Sequence, residues 1–260
     1  MDEADLLTER KDGVLWLTFN RPEARNAMTF AMYERLGQVA EEVNQDRSVR
    51  VMVLKGAGGK AFVAGTDISQ FRDFTKPEHA IAYEERMDRI IGCLETVRVP
   101  VIAAIQGPAV GGGAGIASAC DLRLGSPSAK FGFPIARTLG NCLSMRNYAR
   151  LVSLVGVART KQLIFTARLM DAQEMLACGL LNEVTADEES FLDRVEEVAQ
   201  TIAGFAPLTL QVTKEALRRI QLRMVPEDGS DLVVKAYMSA DLKEGIEAFF
   251  EKRKPQWKGE

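Results

Sequence analysis

Gly107-Pro108-Ala109-Val110-Gly111-Gly112-Gly113-Ala114-Gly115 is the stretch on which the fold turns. It follows the apolar run Pro100-Val101-Ile102-Ala103-Ala104-Ile105, which reads as a buried strand, and leads into a helical pattern. Glycine has no Cβ, so the backbone there can approach a ligand closely and take positive φ. A helix that opens at such a point aims its free N–H groups and positive dipole end at the ligand. Tight helix–sheet packing would call for the same glycines. A second loop, Ala61-Phe62-Val63-Ala64-Gly65-Thr66-Asp67-Ile68, repeats the arrangement and favours the functional reading. Two N–H groups from two such loops can hold a developing oxyanion. That points to a protein that handles activated carbonyl compounds.

Outward from these loops the chain alternates strand and helix. Leu6 to Glu9 and Val14 to Phe19 read as strands joined at Lys11-Asp12-Gly13, a hairpin turn. Thr29 is placed to N-cap a helix carrying Tyr33, Leu36, Val39, Ala40 and Val43 at helical spacing. Val49 to Leu54 reads as a buried strand. Pro77 suits the first turn of the next helix, with Ile81, Met87, Ile90, Ile91 and Leu94. Helix, strand and glycine-rich loop recur at a spacing of about 50 residues, which implies α/β architecture. Asp121 to Leu124 is a further strand, and from about Leu143 the pattern is mostly helical. Helices are expected over Asp187 to Ala203, Pro207 to Arg223 and Asp241 to Lys252. The division expected is an α/β core over 1–200 and a helical region over 201–260.

Composition narrows the function. A net charge of −3 with only short basic clusters argues against a dedicated nucleic-acid binder. No apolar run reaches the roughly 18 residues a membrane helix needs. The N-terminus, Met1-Asp2-Glu3-Ala4-Asp5, is acidic, unlike a secretory signal, and a cytoplasmic location is expected. Cys93, Cys120, Cys142 and Cys178 are far apart and form no metal or redox motif. His79 is the only histidine, and Lys76-Pro77-Glu78-His79-Ala80 reads as an exposed first helical turn. A histidine-based triad or a metal site is therefore not expected. Gly56-Ala57-Gly58-Gly59-Lys60-Ala61 fits a dinucleotide fingerprint literally, but no helix opens directly after it, so a plain turn is expected.

With both loops in view, the chain resembles the enoyl-CoA hydratase/isomerase (crotonase) family along nearly its whole length. The likeness rests on Asn20-Arg21-Pro22-Glu23-Ala24-Arg25-Asn26-Ala27-Met28, on Ala61 to Ile68, on Gly107 to Gly115, and on the tail from Ser239 to Pro255. The resemblance implies a crotonase-like ββα spiral core with a C-terminal helical trimerisation region, assembled as a homotrimer or homohexamer. It implies an acyl-CoA substrate, with coenzyme A present only as part of that substrate. The N–H groups of Thr66 and Gly112 would be the oxyanion donors. Ala24, Arg25, Ala64, Gly65, Asp67 and Ile68 would hold the CoA, and Phe249 and Lys252 would reach a CoA, that of a neighbouring subunit. Gly115, Ile135 and Arg137 would line the acyl pocket.

Two positions depart from the family's hydratases. Those place one glutamate three residues after the oxyanion glycine, where this chain has Gly115. They place another just after Phe131-Gly132-Phe133-Pro134, where this chain has Ile135-Ala136-Arg137. These glutamates handle the water and the α-carbon proton, and losing such a group costs typically a factor of 10²–10⁴. Standard 2-enoyl-CoA hydration is therefore not expected. The alternatives are a decarboxylase or C–C lyase that uses a bound anion or substrate carboxylate, a non-catalytic acyl-CoA binder, and a structural trimer. An anion site beside Gly115, served by Arg137 and Arg146, is a further expectation.

Overall fold

The computed structural model describes residues 5–68, 71, 75–224 and 228–260. Asp12 and Gly13 both take positive φ, which closes β1 (Leu6–Lys11) onto β2 (Val14–Phe19) as a two-residue hairpin. Thr29 N-caps α1 (Phe30–Gln45), its hydroxyl accepting from the Met32 N–H at 3.2 Å. β3 (Val51–Gly56) follows, and α2 (Pro77–Thr96) starts on its proline, whose missing N–H costs nothing there.

The remaining core elements are β4 (Val101–Ile105), β5 (Pro108–Val110), α3 (Gly112–Ala119), β6 (Leu122–Gly125), β7 (Lys130–Gly132), α4 (Ile135–Thr138), α5 (Met145–Thr166), β8 (Met170–Asp171), α6 (Ala172–Ala177), β9 (Glu183–Val184) and α7 (Phe191–Ala203). The C-terminal helices are α8 (Pro207–Leu222), α9 (Ser230–Tyr237) and α10 (Ala240–Phe250). Among the described residues, a six-stranded sheet runs β1-β2-β3-β4-β6-β9, parallel except for the first hairpin. A smaller sheet runs β5-β7-β8.

The larger sheet is covered on both faces, which is why its central strands read as continuous apolar runs. Leu15, Leu17, Met52, Leu54, Val101 and Ala103 face the main core with α1 and α2. Val14, Trp16, Val51, Val53, Ile102 and Ala104 face the other way, onto Phe191, Val195 and Ala199 of α7. α7 thus belongs to the core, at the edge of the division drawn from sequence. No side chain of α8 is fully buried. That helix is fastened by Lys214, whose Nζ donates to the carbonyls of Leu94 and Val99 and to Asp121 at 3.0, 3.2 and 2.6 Å. α9 and α10 share a satellite core with Ile68, Phe71 and Ala80, so they close over the loop that follows β3. The α/β architecture expected from the sequence is the one observed. No helix among the described residues is long and apolar enough to cross a membrane.

Candidate active site

Both loops read from the sequence arrive at one cavity of about 460 Å³. Thr66 forms a parallel bridge with Met28: the Met28 N–H donates to Gly65 O at 2.9 Å, and the Asp67 N–H donates to Met28 O at 2.8 Å. In that pattern the N–H of Thr66 itself points away from Met28. Gly112 is the first residue of α3, so its N–H has no acceptor inside the helix. Both residues line the cavity.

The glycine triplet is required for three separate reasons. Gly111 takes φ 54° and ψ −116°, a conformation side chains resist. A Cβ on Gly113 would stand 2.1 Å from Val63 O, so this glycine lets α3 pack on the first loop. A Cβ on Gly112 would stand 2.1 Å from the Tyr33 hydroxyl and 2.6 Å from Thr66 Oγ1. Packing and site chemistry are therefore both served, on different faces of α3.

The segment before α1 is fastened to the loop after β3 by Asn26, which is fully buried. Its Nδ2 donates to Ala61 O at 2.8 Å and Ala57 O at 3.0 Å, while its Oδ1 accepts from the Arg21 N–H at 3.0 Å. Ala24, Arg25, Ala64, Gly65 and Ile68 all line the cavity, with Phe249 of α10.

The lining also includes a polar group that the sequence pattern did not single out. Glu84 of α2 is 8% exposed, and it accepts a hydrogen bond from the Tyr237 hydroxyl of α9 at 2.5 Å. That hydroxyl accepts in turn from Asn141 Nδ2 at 3.3 Å, and Asn141 Oδ1 is buried with no partner among the described residues. Burial pushes the Glu84 carboxyl up to about 7; the Tyr237 bond opposes this and Asp88 adds to it. Burial likewise pushes Tyr33 and Cys142 up to about 12, so both stay protonated near neutrality. Glu84 is the one carboxyl and Arg25 the one cation among the described lining residues.

Glu84 was legible in one respect. Ala80, Glu84, Met87 and Ile91 recur at helical spacing on the buried face of α2, and an acid within such a stripe is a signal in itself. Tyr33, read from the sequence as a core residue, is fully buried yet turns its hydroxyl to Thr66 at 2.8 Å. Nothing in the local pattern singles out Asn141 or Tyr237.

Gly115 and Ile135 line the cavity. A Cβ on Gly115 would meet Ile91 Cδ1 at 3.4 Å and Asn147 Oδ1 at 3.7 Å. Arg137 does not line the cavity: it sits in the last turn of α4, whose buried residue is Ile135, and is exposed. Arg146 lies behind α2, beside Glu95 and Arg218 in a separate crevice. The anion site expected from these two arginines is therefore not assembled. Asp67 and Lys252 also lie outside the lining, and Lys252 is exposed. His79 is exposed in the first turn of α2.

α2 is clamped to α5 behind the cavity. Arg150 is 6% exposed; it donates to both oxygens of Glu95, at 2.7 and 3.0 Å, and to Asn147 Oδ1 at 2.9 Å.

Comparison with known proteins gives the lineage. Residues 9–260 match the sequence model of the enoyl-CoA hydratase/isomerase family. The chain is 35% identical over 259 residues to a short-chain-enoyl-CoA hydratase of Clostridium acetobutylicum, covering 98% of this chain and 97% of that one. It is 32% identical over 253 residues to a crotonyl-CoA hydratase of Syntrophomonas wolfei, covering 96% of each. A methylmalonyl-CoA decarboxylase, solved in complex with 2-nitronate-propionyl-CoA, superposes with a TM-score of 0.89 at 27% identity over 98% of both chains. An enoyl-CoA hydratase/carnithine racemase from Magnetospirillum magneticum gives 0.81 at 33% identity, over 100% of this chain and 97% of that one. A match that takes in both glycine-bearing loops and the C-terminal helices, with a fold shared end to end, makes this chain a member of the enoyl-CoA hydratase/isomerase family.

Proposed function

We propose that the cavity binds the acyl end of a coenzyme A thioester and that the N–H groups of Thr66 and Gly112 hold its carbonyl oxygen as negative charge develops. The observation that carries this reading is that Thr66 and Gly112, one on each glycine-bearing loop, line the same cavity, the Thr66 N–H turned from Met28 and the Gly112 N–H without an acceptor in its helix. Such donors are often the largest single contribution to catalysis of this kind. Coenzyme A enters only as part of the substrate. The relatives named as hydratases and the decarboxylase neighbour support the thioester class.

The wall beside Gly112 presents Gly115, Ile91, Ile135 and Asn147, none of them an acid or base. Adding water across a 2-enoyl bond needs a group there to take and give a proton. The reading is therefore enolate stabilisation without efficient hydration. Calorimetry with acetyl-CoA, butyryl-CoA and hexanoyl-CoA tests binding, and loss of the enoyl absorbance of crotonyl-CoA tests hydration. Micromolar to millimolar binding with turnover far below the usual 1–10³ per second supports the reading. No binding at millimolar thioester sinks it.

A second reading, decarboxylation or C–C cleavage, draws on the 0.89 TM-score to the decarboxylase. Losing CO₂ delivers its electron pair to the same enolate and needs no base. Release of CO₂ from methylmalonyl-CoA is the direct assay. For the assembly we propose a homotrimer or a dimer of trimers. Leu208, Val212, Leu217 and Ile220 of α8 are each more than half exposed, and a second copy of the chain would cover them. Light scattering decides that point.

A further inference from the structure

Asn147 stands in the first turn of α5, is 8% exposed, and lines the cavity. A Cβ on Gly115 would meet its Oδ1 at 3.7 Å, so the Asn147 amide lies against α3 at that residue. Gly115 follows Gly112 by nearly one turn of α3, about 4.5 Å along the axis. The amide is thus about one helical turn along α3 from the N–H proposed to hold the thioester oxygen.

What the amide touches settles which way it faces. Arg150 Nη1 donates to Asn147 Oδ1 at 2.9 Å, and a guanidinium can only donate, so the oxygen faces Arg150 and the NH₂ group turns away from it. Arg150 is held in turn by both oxygens of Glu95, which fixes the arrangement. Nδ2 has no hydrogen-bond partner among the described residues, yet it is not sealed off as Arg98 Nε and Asn141 Oδ1 are, so it keeps accessible surface. Asn147 lines the cavity and not the crevice behind α2. Its NH₂ group therefore opens onto the cavity, and the Arg150 bond at the other end of the amide makes it a stronger donor.

On the reading of the cavity as an acyl-CoA site, we infer that Asn147 is a specificity determinant: its Nδ2 donates to a second carbonyl oxygen, on carbon 3 of the acyl group. The class of substrate is then a 1,3-dicarbonyl thioester, either 3-oxoacyl or malonyl. The two oxygens of such a group are separated by three carbons, a span comparable to the single turn between Gly112 and Gly115. A plain acyl chain would cover the NH₂ group without bonding it, and a polar group left unpaired in this way costs affinity. A carbonyl oxygen offers only lone pairs and matches a donor. A 3-hydroxyl brings a proton of its own, which Asn147 cannot accept because its oxygen is taken by Arg150.

The test is calorimetry on the intact protein with butyryl-CoA, acetoacetyl-CoA, malonyl-CoA and 3-hydroxybutyryl-CoA. Acetoacetyl-CoA differs from butyryl-CoA only by a carbonyl in place of a methylene at carbon 3. At least one of the two dicarbonyl thioesters is expected to bind about fivefold or more tightly than butyryl-CoA, and which of them does so tells the ketone from the carboxylate. In Asn147→Asp the new carboxylate keeps the Arg150 bond but offers no donor, and the dicarbonyl advantage is expected to fall below about twofold. A purely structural Asn147 would weaken all four thioesters alike and leave that ratio unchanged, which overturns the assignment. Equal binding of butyryl-CoA and both dicarbonyl thioesters by the wild type also overturns it, and that comparison needs no variant to fold. So does 3-hydroxybutyryl-CoA binding more tightly than either dicarbonyl. Failure of every thioester to bind overturns the acyl-CoA reading itself, and the role of Asn147 falls with it.

Discussion

The hydroxyl of Tyr33 stands 2.8 Å from that of Thr66, against the face of residue 112 where any side chain would begin. Helix α1, the first loop and the start of α3 are thereby locked together by one hydrogen bond and one missing methyl group. In Gly112→Ala the new Cβ must displace Tyr33 or Thr66, an overpacking error of about 1–3 kcal/mol. We expect a lower melting temperature and at least tenfold weaker thioester binding. Adding Tyr33→Phe removes the clashing oxygen, and the double variant should regain part of the lost stability. A double variant no more stable than Gly112→Ala would show that the clash is not with Tyr33.

Glu84 makes the fold sensitive to pH. Its carboxyl titrates near 7 in the folded protein against 4.5 for the free group, so between those values the native state holds the extra proton. Stability from this group is therefore present at low pH and is lost as pH rises from 4.5 through 7, a penalty of order 3 kcal/mol above that range. Glu84→Gln keeps the shape and removes the titration. Melts at pH 5 and pH 8 should show wild type losing more stability than the variant on going to the higher pH. Parallel losses would place the Glu84 titration outside this window.

The clamp behind the cavity is expected to be structural. Arg150→Met takes from Glu95 and Asp88 the cation that bonds them, with only Arg146 and Arg218 left nearby, and breaking a buried pair of this kind costs about 3–5 kcal/mol. Urea unfolding should show a lower midpoint with an unchanged slope. A midpoint within experimental error of wild type would show that the clamp adds nothing to the stability of the fold.

Arg137→Ala and Arg146→Ala, by contrast, should leave thioester affinity within about twofold, the scale expected of surface charges. One side chain is exposed on α4 and the other lies in a separate crevice. A larger loss with any thioester would mean that one of them swings into the cavity on binding.

Legibility in the sequence followed the range of the interactions. The Asp12-Gly13 turn, the Thr29 cap, the Pro77 start and the alternating core strands all depend on neighbours within a few residues, and all were readable. The glycine triplet was readable as a place where side chains are excluded, though not as three exclusions with three causes. What could not be read was anything set by contacts distant in the chain. Tyr237 reaches Glu84 across 153 residues, and Tyr33 reaches Thr66 across 33. The arginines were misplaced for the same reason. Residues 137 and 146 flank the acyl pocket in sequence, but α4 turns Arg137 to solvent and α5 turns Arg146 into the crevice behind α2.

Asn26 ties two stretches of backbone that are far apart in sequence. Neither stretch can open by itself, because freeing one strands a buried amide and two buried carbonyls on the other. In the language of native-state hydrogen exchange, residues 21–28 and 57–66 form one cooperative unit, with a common opening free energy for their protected amides. The wall that would hold the thioester is then all present or all absent, and its breathing sets how often a ligand finds it whole.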